Sequence, residues 1–305
     1  MGAVPAILRP VDAAAAPGLV LPPVVEAVRS RVEAALAAEL AARRAALAAL
    51  DPRAAVLVEE LERLLMAGGK RLRPAFCYLG YRAAGGIDGE PIVRAAAALE
   101  LLHTFALVHD DLMDGSSERR GVETTHVRFA RLLAEPGALA EARGRAAAVL
   151  VGDLAAVLAE SLLRRSGFPG DVLAAALERF DRMRLEMAAG QYLDIAGAAR
   201  DLPSAEHVAE LKTASYTVEG PLAIGAALAG ASGEVEAVLS AYGRAAGEAF
   251  QLRDDVLDGQ APAGALERVD ALVAEALGAL EGARLEPVAL AALRRLAEAL
   301  QLGRG

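Results

Sequence analysis

Residues 101–126 read LLHTFALVHDDLMDGSSERRGVETTH. They close an apolar run (residues 95–99, Leu101, Leu102, Phe105, Ala106 and Val108) whose length and composition predict a buried helix. On a helix, positions four apart share a face, so Asp110 and Asp114 point the same way with Asp111 beside them. The same spacing returns as Asp254, Asp255 and Asp258 in FQLRDDVLD, residues 250–258, at the end of a second helical stretch. Clustered carboxylates repel one another and are costly to bury without a counter-charge. One such cluster alone could equally be a solvated helix end. Two copies, each closing a long helix, point to hard divalent cations. Magnesium favours octahedral oxygen ligation and takes one or two carboxylates together with substrate phosphates. Two such faces across a cleft would clamp a diphosphate.

A basic stretch lies upstream, GGKRLRP at residues 68–74. Glycines let backbone approach an anion closely, and helix starts attract phosphate; the bland alternative is a helix break with solvated charges. The chain holds two lysines, Lys70 and Lys212, and no asparagine; every other basic residue apart from the histidines is arginine. Lysine kept against such a bias marks positions that need a compact ammonium rather than a planar guanidinium, unless the two survive by chance.

Composition narrows the fold class. The chain is 55% hydrophobic and only 4% aromatic, with alanine dominant. That suits closely packed helices and leaves little material for strands. We expect an all-α single-domain bundle of about ten or more helices around a central cavity. Residues 1–23, with five prolines among alanines, read as a flexible arm, and 24–305 as the domain. Helices are expected at 24–50, from Asp51-Pro52 to Met66, at 75–84, 91–113, 138–165 and 171–198, within 204–229, and at 233–258, 265–280 and 287–300. The formal charge of −9 argues against nucleic-acid binding. Cys77 is the sole cysteine, which excludes an intrachain disulfide and fits a reducing cytoplasm. No signal segment is evident and no uncharged run reaches 18 apolar residues, so no membrane span is expected.

The segments GGKRLRP, HDDLMD followed by RRG, GQYLD (190–194), Lys212-Thr213 and FQLRDDVLD occur in an order that resembles the trans-isoprenyl diphosphate synthases, most of all bacterial geranylgeranyl and polyprenyl diphosphate synthases. The resemblance spans about residues 65–258 and implies the isoprenoid synthase fold. It implies magnesium, three ions per active site, held by Asp110, Asp111, Asp114, Asp254, Asp255 and Asp258. Lys70, Arg73, His103 and Arg120 would hold isopentenyl diphosphate. Arg119, Lys212 and Thr213 would face the allylic diphosphate (dimethylallyl, geranyl or farnesyl), with Gln251 also at the substrate and Gln191 and Asp194 on a helix lining the cavity. Taken alone, His103 reads as a core histidine. The resemblance also implies a homodimer.

In the resembling family, an aromatic five residues before the first aspartate, without an insertion in the acidic motif, goes with C20 products. Phe105 holds that place, with the small Ala106 beside it; plain core packing explains Phe105 as well. The family then continues with a glycine- and lysine-containing loop. Here Asp258 is followed by Gly259 and 260–264, and a segment of several tens of residues is missing. Two other functions stay open: a class I terpene cyclase, which ionises a single prenyl diphosphate, and a non-catalytic partner subunit.

Overall fold

The apolar run before the first acidic cluster forms α4 (Glu90–Met113). Residues 95–99, 101 and 102 are each at most 1% exposed. A helix apolar on all sides must be wrapped by neighbours, and α4 packs against α6 (Ala138–Arg164), α3 (Leu72–Ala83) and α1 (Pro23–Leu50), with α2 (Val56–Met66), α5 (Thr125–Leu132) and α8 (Gly220–Leu228) completing the shell. In this computed structural model, residues 21–302 are described apart from 120, 134–136, 198–215 and 260. Before α4 come α1 (Pro23–Leu50), a single 3-10 turn (Pro52–Ala55), α2 (Val56–Met66) and α3 (Leu72–Ala83). After it come a two-stranded hairpin, α5 (Thr125–Leu132), α6 (Ala138–Arg164) and α7 (Gly170–Ile195). A π-helical turn at 216–219 leads into α8 (Gly220–Leu228), followed by α9 (Gly233–Leu257), α10 (Ala265–Ala279) and α11 (Pro287–Glu298). The described residues thus form eleven α-helices, and the all-α expectation holds.

Local chemistry explains most boundaries. Asp51 accepts from the Arg53 amide (2.8 Å) and opens the turn into α2, with Pro52 at its first position. Ser232 caps α9 through the Val235 amide (3.4 Å), and Glu286 caps α11 through that of Ala289 (2.8 Å). Three expectations need correction. Pro23 belongs to α1 rather than to the arm; residues 1–20 lie outside the described residues. Helix α3 begins at Leu72, not at residue 75, because Pro74 sits in the first turn, where its missing N–H costs no hydrogen bond. The hairpin and α5 were not anticipated: β1 (Glu118–Arg119) pairs antiparallel with β2 (Val122–Glu123), Arg119 opposite Val122.

Two close approaches fix the frame around the site. At the α3–α8 crossing, a Cβ on Gly225 would overlap the Cys77 carbonyl, and one on Gly80 would overlap that of Leu222. Only glycine lets the two backbones meet there. Helix α8 also packs on both α4 and α9, the helices that end in the acidic clusters. Helices α9 and α10 lie along one another across the short connection at 259–264, and the buried Tyr242 of α9 donates to the Leu293 carbonyl of α11 (2.9 Å). Helices α4 and α6 are each long and apolar enough by composition to cross a membrane. In its most apolar stretch α4 is 72% buried in the core and α6 50%.

Candidate active site

The last turn of α4 carries the first acidic cluster. Asp110 and Asp111 are buried, each 4% exposed, while Asp114, the C-cap, is exposed. Arg119 reaches back from β1 across them. Its Nε donates to Asp111 Oδ1 (2.7 Å) and its Nη2 to Asp110 Oδ2 (3.3 Å). Gln191 of α7 donates to the other Asp110 oxygen (3.2 Å). Burial pushes the Asp111 carboxyl up to about 6, opposed by Arg119 and reinforced by Asp110 and Asp114. The hairpin that delivers Arg119 is itself anchored. Glu60 on α2, 1% exposed, accepts from Arg63 (2.6 and 2.8 Å) and Thr125 (2.9 Å) and pairs with Arg128 (3.0 Å). Arg63 also donates to the Glu123 carbonyl of β2 (2.9 Å).

The second cluster closes α9. Asp254 is buried beside Arg253 (3.5 Å), Asp255 is half-buried and accepts from Gln251 (2.8 Å), and Asp258 is exposed. Burial raises Asp254 to about 6, against the pull of Arg253 and Lys70, and raises Asp255 as well. Asp254 Oδ2 and Gln251 Oε1 are buried with no hydrogen-bond partner among the described residues. Unsatisfied hard oxygens of this kind are what a magnesium ion would take. Among the described residues, no three carboxylate, imidazole or thiol groups already converge as a metal cage; around Asp110 and Asp111 the positive charge comes from Arg119.

The basic loop lies between α2 and α3. Arg71 sits in the left-handed backbone region (φ 51°), a conformation that costs a non-glycine residue roughly 1–2 kcal/mol. Its buried guanidinium holds it there, donating to Glu100 (2.7 Å), Glu33 (3.3 Å) and the carbonyls of Leu65 and Gly68. The backbone on either side then presents Lys70 and Arg73. Lys70 is half-buried; burial depresses its ammonium, Arg253 adds to that, and Asp254 opposes it, which places this lysine by the second cluster. Arg73 is buried, donates to Thr217 Oγ1 (2.8 Å), and lies 4.2 Å over the Tyr216 ring. His103 contacts the Tyr216 hydroxyl through Nδ1 (2.6 Å). Burial, then Arg73, Arg119 and Arg71, push its imidazole well below the usual histidine range, so the ring is neutral at pH 7. Arg71, Glu100, His103, Thr104, Asp111 and Arg119 line one cleft.

His103, Asp111 and Arg119 thus line one cleft with Arg71, Arg73 joins His103 through Tyr216, and Lys70 and Arg253 accompany Asp254 of the second cluster. Lys212, Thr213 and Arg120 lie outside the described residues. Phe105 and Ala106 are half-buried against the core, and the Phe105 ring meets His109 edge-on (4.8 Å). Sequence reasoning missed Arg71 as a strut, Arg253 as the partner of Asp254, and Tyr216 with Thr217. Tyr216 had one visible signal, as one of only five tyrosines in the chain and three residues beyond Thr213.

The raised carboxyls predict a pH effect. Asp111 and Asp254 titrate near 6 in the fold and about 4 when unfolded. The native state therefore binds more protons between those values, and the stability these groups contribute is present below about pH 4 and lost as pH rises through about 6. In thermal melts without divalent cations, Asp254→Asn should gain on the wild type between pH 4.5 and 6.5. Parallel Tm curves would contradict this.

Comparison with known proteins places the chain. Residues 54–270 match the family model "polyprenyl synthetase". A geranylgeranyl diphosphate synthase of Methanosarcina mazei is 37% identical over 209 residues, 68% of this chain and 60% of that protein. A geranylfarnesyl diphosphate synthase of Aeropyrum pernix is 34% identical over 201 residues, 64% of this chain and 58% of that protein. The chain thus spans about three fifths of the length of these curated relatives. Among solved structures, a geranylgeranyl pyrophosphate synthase of Corynebacterium glutamicum, complexed with isoprenyl diphosphate and magnesium, superposes with a TM-score of 0.82. It is 28% identical, and the match covers 94% of this chain and 100% of that one. The family-model match covers well over half of the sequence and includes the basic loop and both acidic clusters, so this chain belongs to the polyprenyl synthetase family, the trans-isoprenyl diphosphate synthases that its ordered motifs resemble.

Proposed function

We propose that the chain is a magnesium-dependent prenyltransferase that joins isopentenyl diphosphate to an allylic diphosphate (dimethylallyl, geranyl or farnesyl), giving a short trans product, geranylgeranyl diphosphate. The observation that carries this reading is that each partly buried acidic cluster has its own basic groups, Arg119 on Asp110 and Asp111 and Lys70 with Arg253 by Asp254, with Arg73 and His103 joined through Tyr216. That set offers cationic groups for two diphosphates, and a single one does not need it.

Asp110, Asp111, Asp114, Asp254, Asp255 and Asp258 offer oxygen donors for three magnesium ions. Magnesium, when bound, neutralises the allylic diphosphate and draws electrons from its C–O bond. Arg119, moving from Asp110 and Asp111 to the diphosphate, joins Lys212 and Thr213 in holding the leaving group, and Gln251 helps position it. The C–O bond breaks to pyrophosphate and an allylic cation. Lys70, Arg73, His103 and Arg120 hold isopentenyl diphosphate so that its double bond forms the new C–C bond, and the proton lost goes to pyrophosphate. The apolar wall of α4 keeps water from the cation. Phe105 stops the growing tail at C20, with Ala106 leaving space beside it.

Two further features belong to this reading. Helix α6 keeps Leu139, Val149, Leu150 and Val157 exposed, 41–64% each, an apolar stripe suited to a second copy, and we read the working unit as a homodimer. The buried, unpaired Cys77 suits a cytoplasmic enzyme. The direct α9–α10 connection stands where the resembling synthases carry a further lysine-containing loop, so diphosphate binding falls to Lys70, Arg73, His103, Arg119, Arg120 and Lys212.

The test that separates this from a cyclase is Lys70→Ala. Condensation should fall at least about 100-fold in kcat/KM for isopentenyl diphosphate, while slow pyrophosphate release from farnesyl diphosphate alone persists. Undiminished condensation would overturn the two-diphosphate reading.

A further inference from the structure

We propose that Tyr216 is a positioning residue for the isopentenyl diphosphate site: its phenol donates to His103 Nδ1, which fixes the imidazole proton on Nε2 as a donor toward the cleft, while its ring seats the Arg73 guanidinium. The inference rests on the reading of His103 and Arg73 as diphosphate-holding residues.

The geometry comes from one turn of backbone. Tyr216 and Thr217 lie in the π-helical backbone at 216–219 that precedes α8, a distortion frequent at functional sites. Their side chains engage two different basic residues. The Tyr216 hydroxyl is 2.6 Å from His103 Nδ1, and its ring lies 4.2 Å under the Arg73 guanidinium carbon. Thr217 accepts from Arg73 Nη2 at 2.8 Å. The two aromatic rings are tilted by 52° at 5.9 Å, so they meet through the hydroxyl and not by stacking. Tyr216, Thr217 and His103 are all buried.

Proton placement follows from counting donors. His103 is buried among the guanidinium groups of Arg73, Arg119 and Arg71, which keeps the ring neutral. A neutral imidazole has one donor and one acceptor nitrogen. Burial also holds the Tyr216 phenol protonated. Were Nδ1 the protonated nitrogen, that phenol proton would need another acceptor. Among the described residues Tyr216 makes no other hydrogen bond, and a buried donor without a partner is costly. The phenol therefore donates, Nδ1 accepts, and Nε2 carries the proton. A diphosphate presents only acceptors, so a fixed Nε2–H is the useful tautomer. The same ring gives Arg73 a cation–π seat, which sets the guanidinium plane without using its N–H groups.

The experiment uses the full chain and two readouts. The first is ¹⁵N NMR of the histidine rings in the protein alone, with His103 assigned among the four histidines by His103→Gln. The wild type should show the Nε2–H tautomer and Tyr216→Phe a mixture. The second is steady-state kinetics with magnesium. Tyr216→Phe keeps the ring under Arg73, so Tm should hold while KM for isopentenyl diphosphate rises roughly tenfold and KM for the allylic substrate stays within about twofold. Tyr216→Leu, which also removes the seat of Arg73, should raise the isopentenyl KM further. A wild-type ring protonated on Nδ1, or an unchanged isopentenyl KM in an active Tyr216→Phe enzyme, would overturn the proposal. Wild-type protein that condenses nothing would defeat the prenyltransferase reading instead, and the NMR result would still decide the tautomer.

Discussion

Replacing Asp254 by asparagine is expected to lower kcat at least about 100-fold at saturating magnesium without lowering Tm at pH 7. Two observations combine in this expectation. Asp254 is 2% exposed, and one of its oxygens has no hydrogen-bond partner among the described residues. Its carboxyl is raised to about 6, which means the folded state disfavours the charge by on the order of 2–3 kcal/mol at neutral pH. A residue kept for packing would not carry that burden. Asparagine has nearly the same shape and no charge, so it relieves the strain and forfeits the hard anionic ligand. Asp110→Asn should reproduce the kinetic loss. Its stability should fall, because Arg119 and Gln191 donate to both carboxylate oxygens and an amide accepts through only one. Parallel thermal melts and turnover assays check both outcomes; a Tm that fell together with kcat in Asp254→Asn would indicate a structural aspartate.

The largest stability effect is expected at Gly225. A Cβ there would overlap the Cys77 carbonyl and crowd the Tyr81 amide. Backbone cannot swing aside as a side chain does, so α3 and α8 must separate. We expect Gly225→Ala to cost about 3 kcal/mol and to lower Tm by roughly 10 °C. Condensing activity should fall beyond what the lost folded fraction explains, since α3 carries Arg73 in its first turn and Tyr216 stands just before α8. Gly278→Ala is the control: nothing lies within 4 Å of an added Cβ, and the helix gains from losing a glycine. Urea melts of both variants measure the difference, and equal midpoints would contradict the backbone contact.

Sequence reading reached the acidic helices because their signals are local. The apolar run of α4 and the four-residue spacing of Asp110 and Asp114 need no knowledge of neighbours. Pro23 and Pro74 misled it, because proline ends a helix in its interior but is harmless in the first turn. The hairpin at 118–123 has strands of two residues each, too short to show alternation. Its position depends on Glu60 and Arg63, more than 50 residues upstream, a dependence no periodicity carries. Arg71 illustrates the same limit. Its neighbours Lys70 and Arg73 were assigned to substrate, and nothing in the sequence set Arg71 apart as the strut locked to Glu100 and Glu33. Tyr216 was missed because its role comes from burial against His103 and Arg73, which lie more than 100 residues away.

The most direct test of the central claim is turnover. Purified protein is given isopentenyl diphosphate with farnesyl diphosphate, with and without magnesium, and the dephosphorylated products are sized. The account predicts a C20 alcohol that disappears when magnesium is chelated. No product from dimethylallyl, geranyl or farnesyl diphosphate would contradict it and would favour a non-catalytic partner subunit.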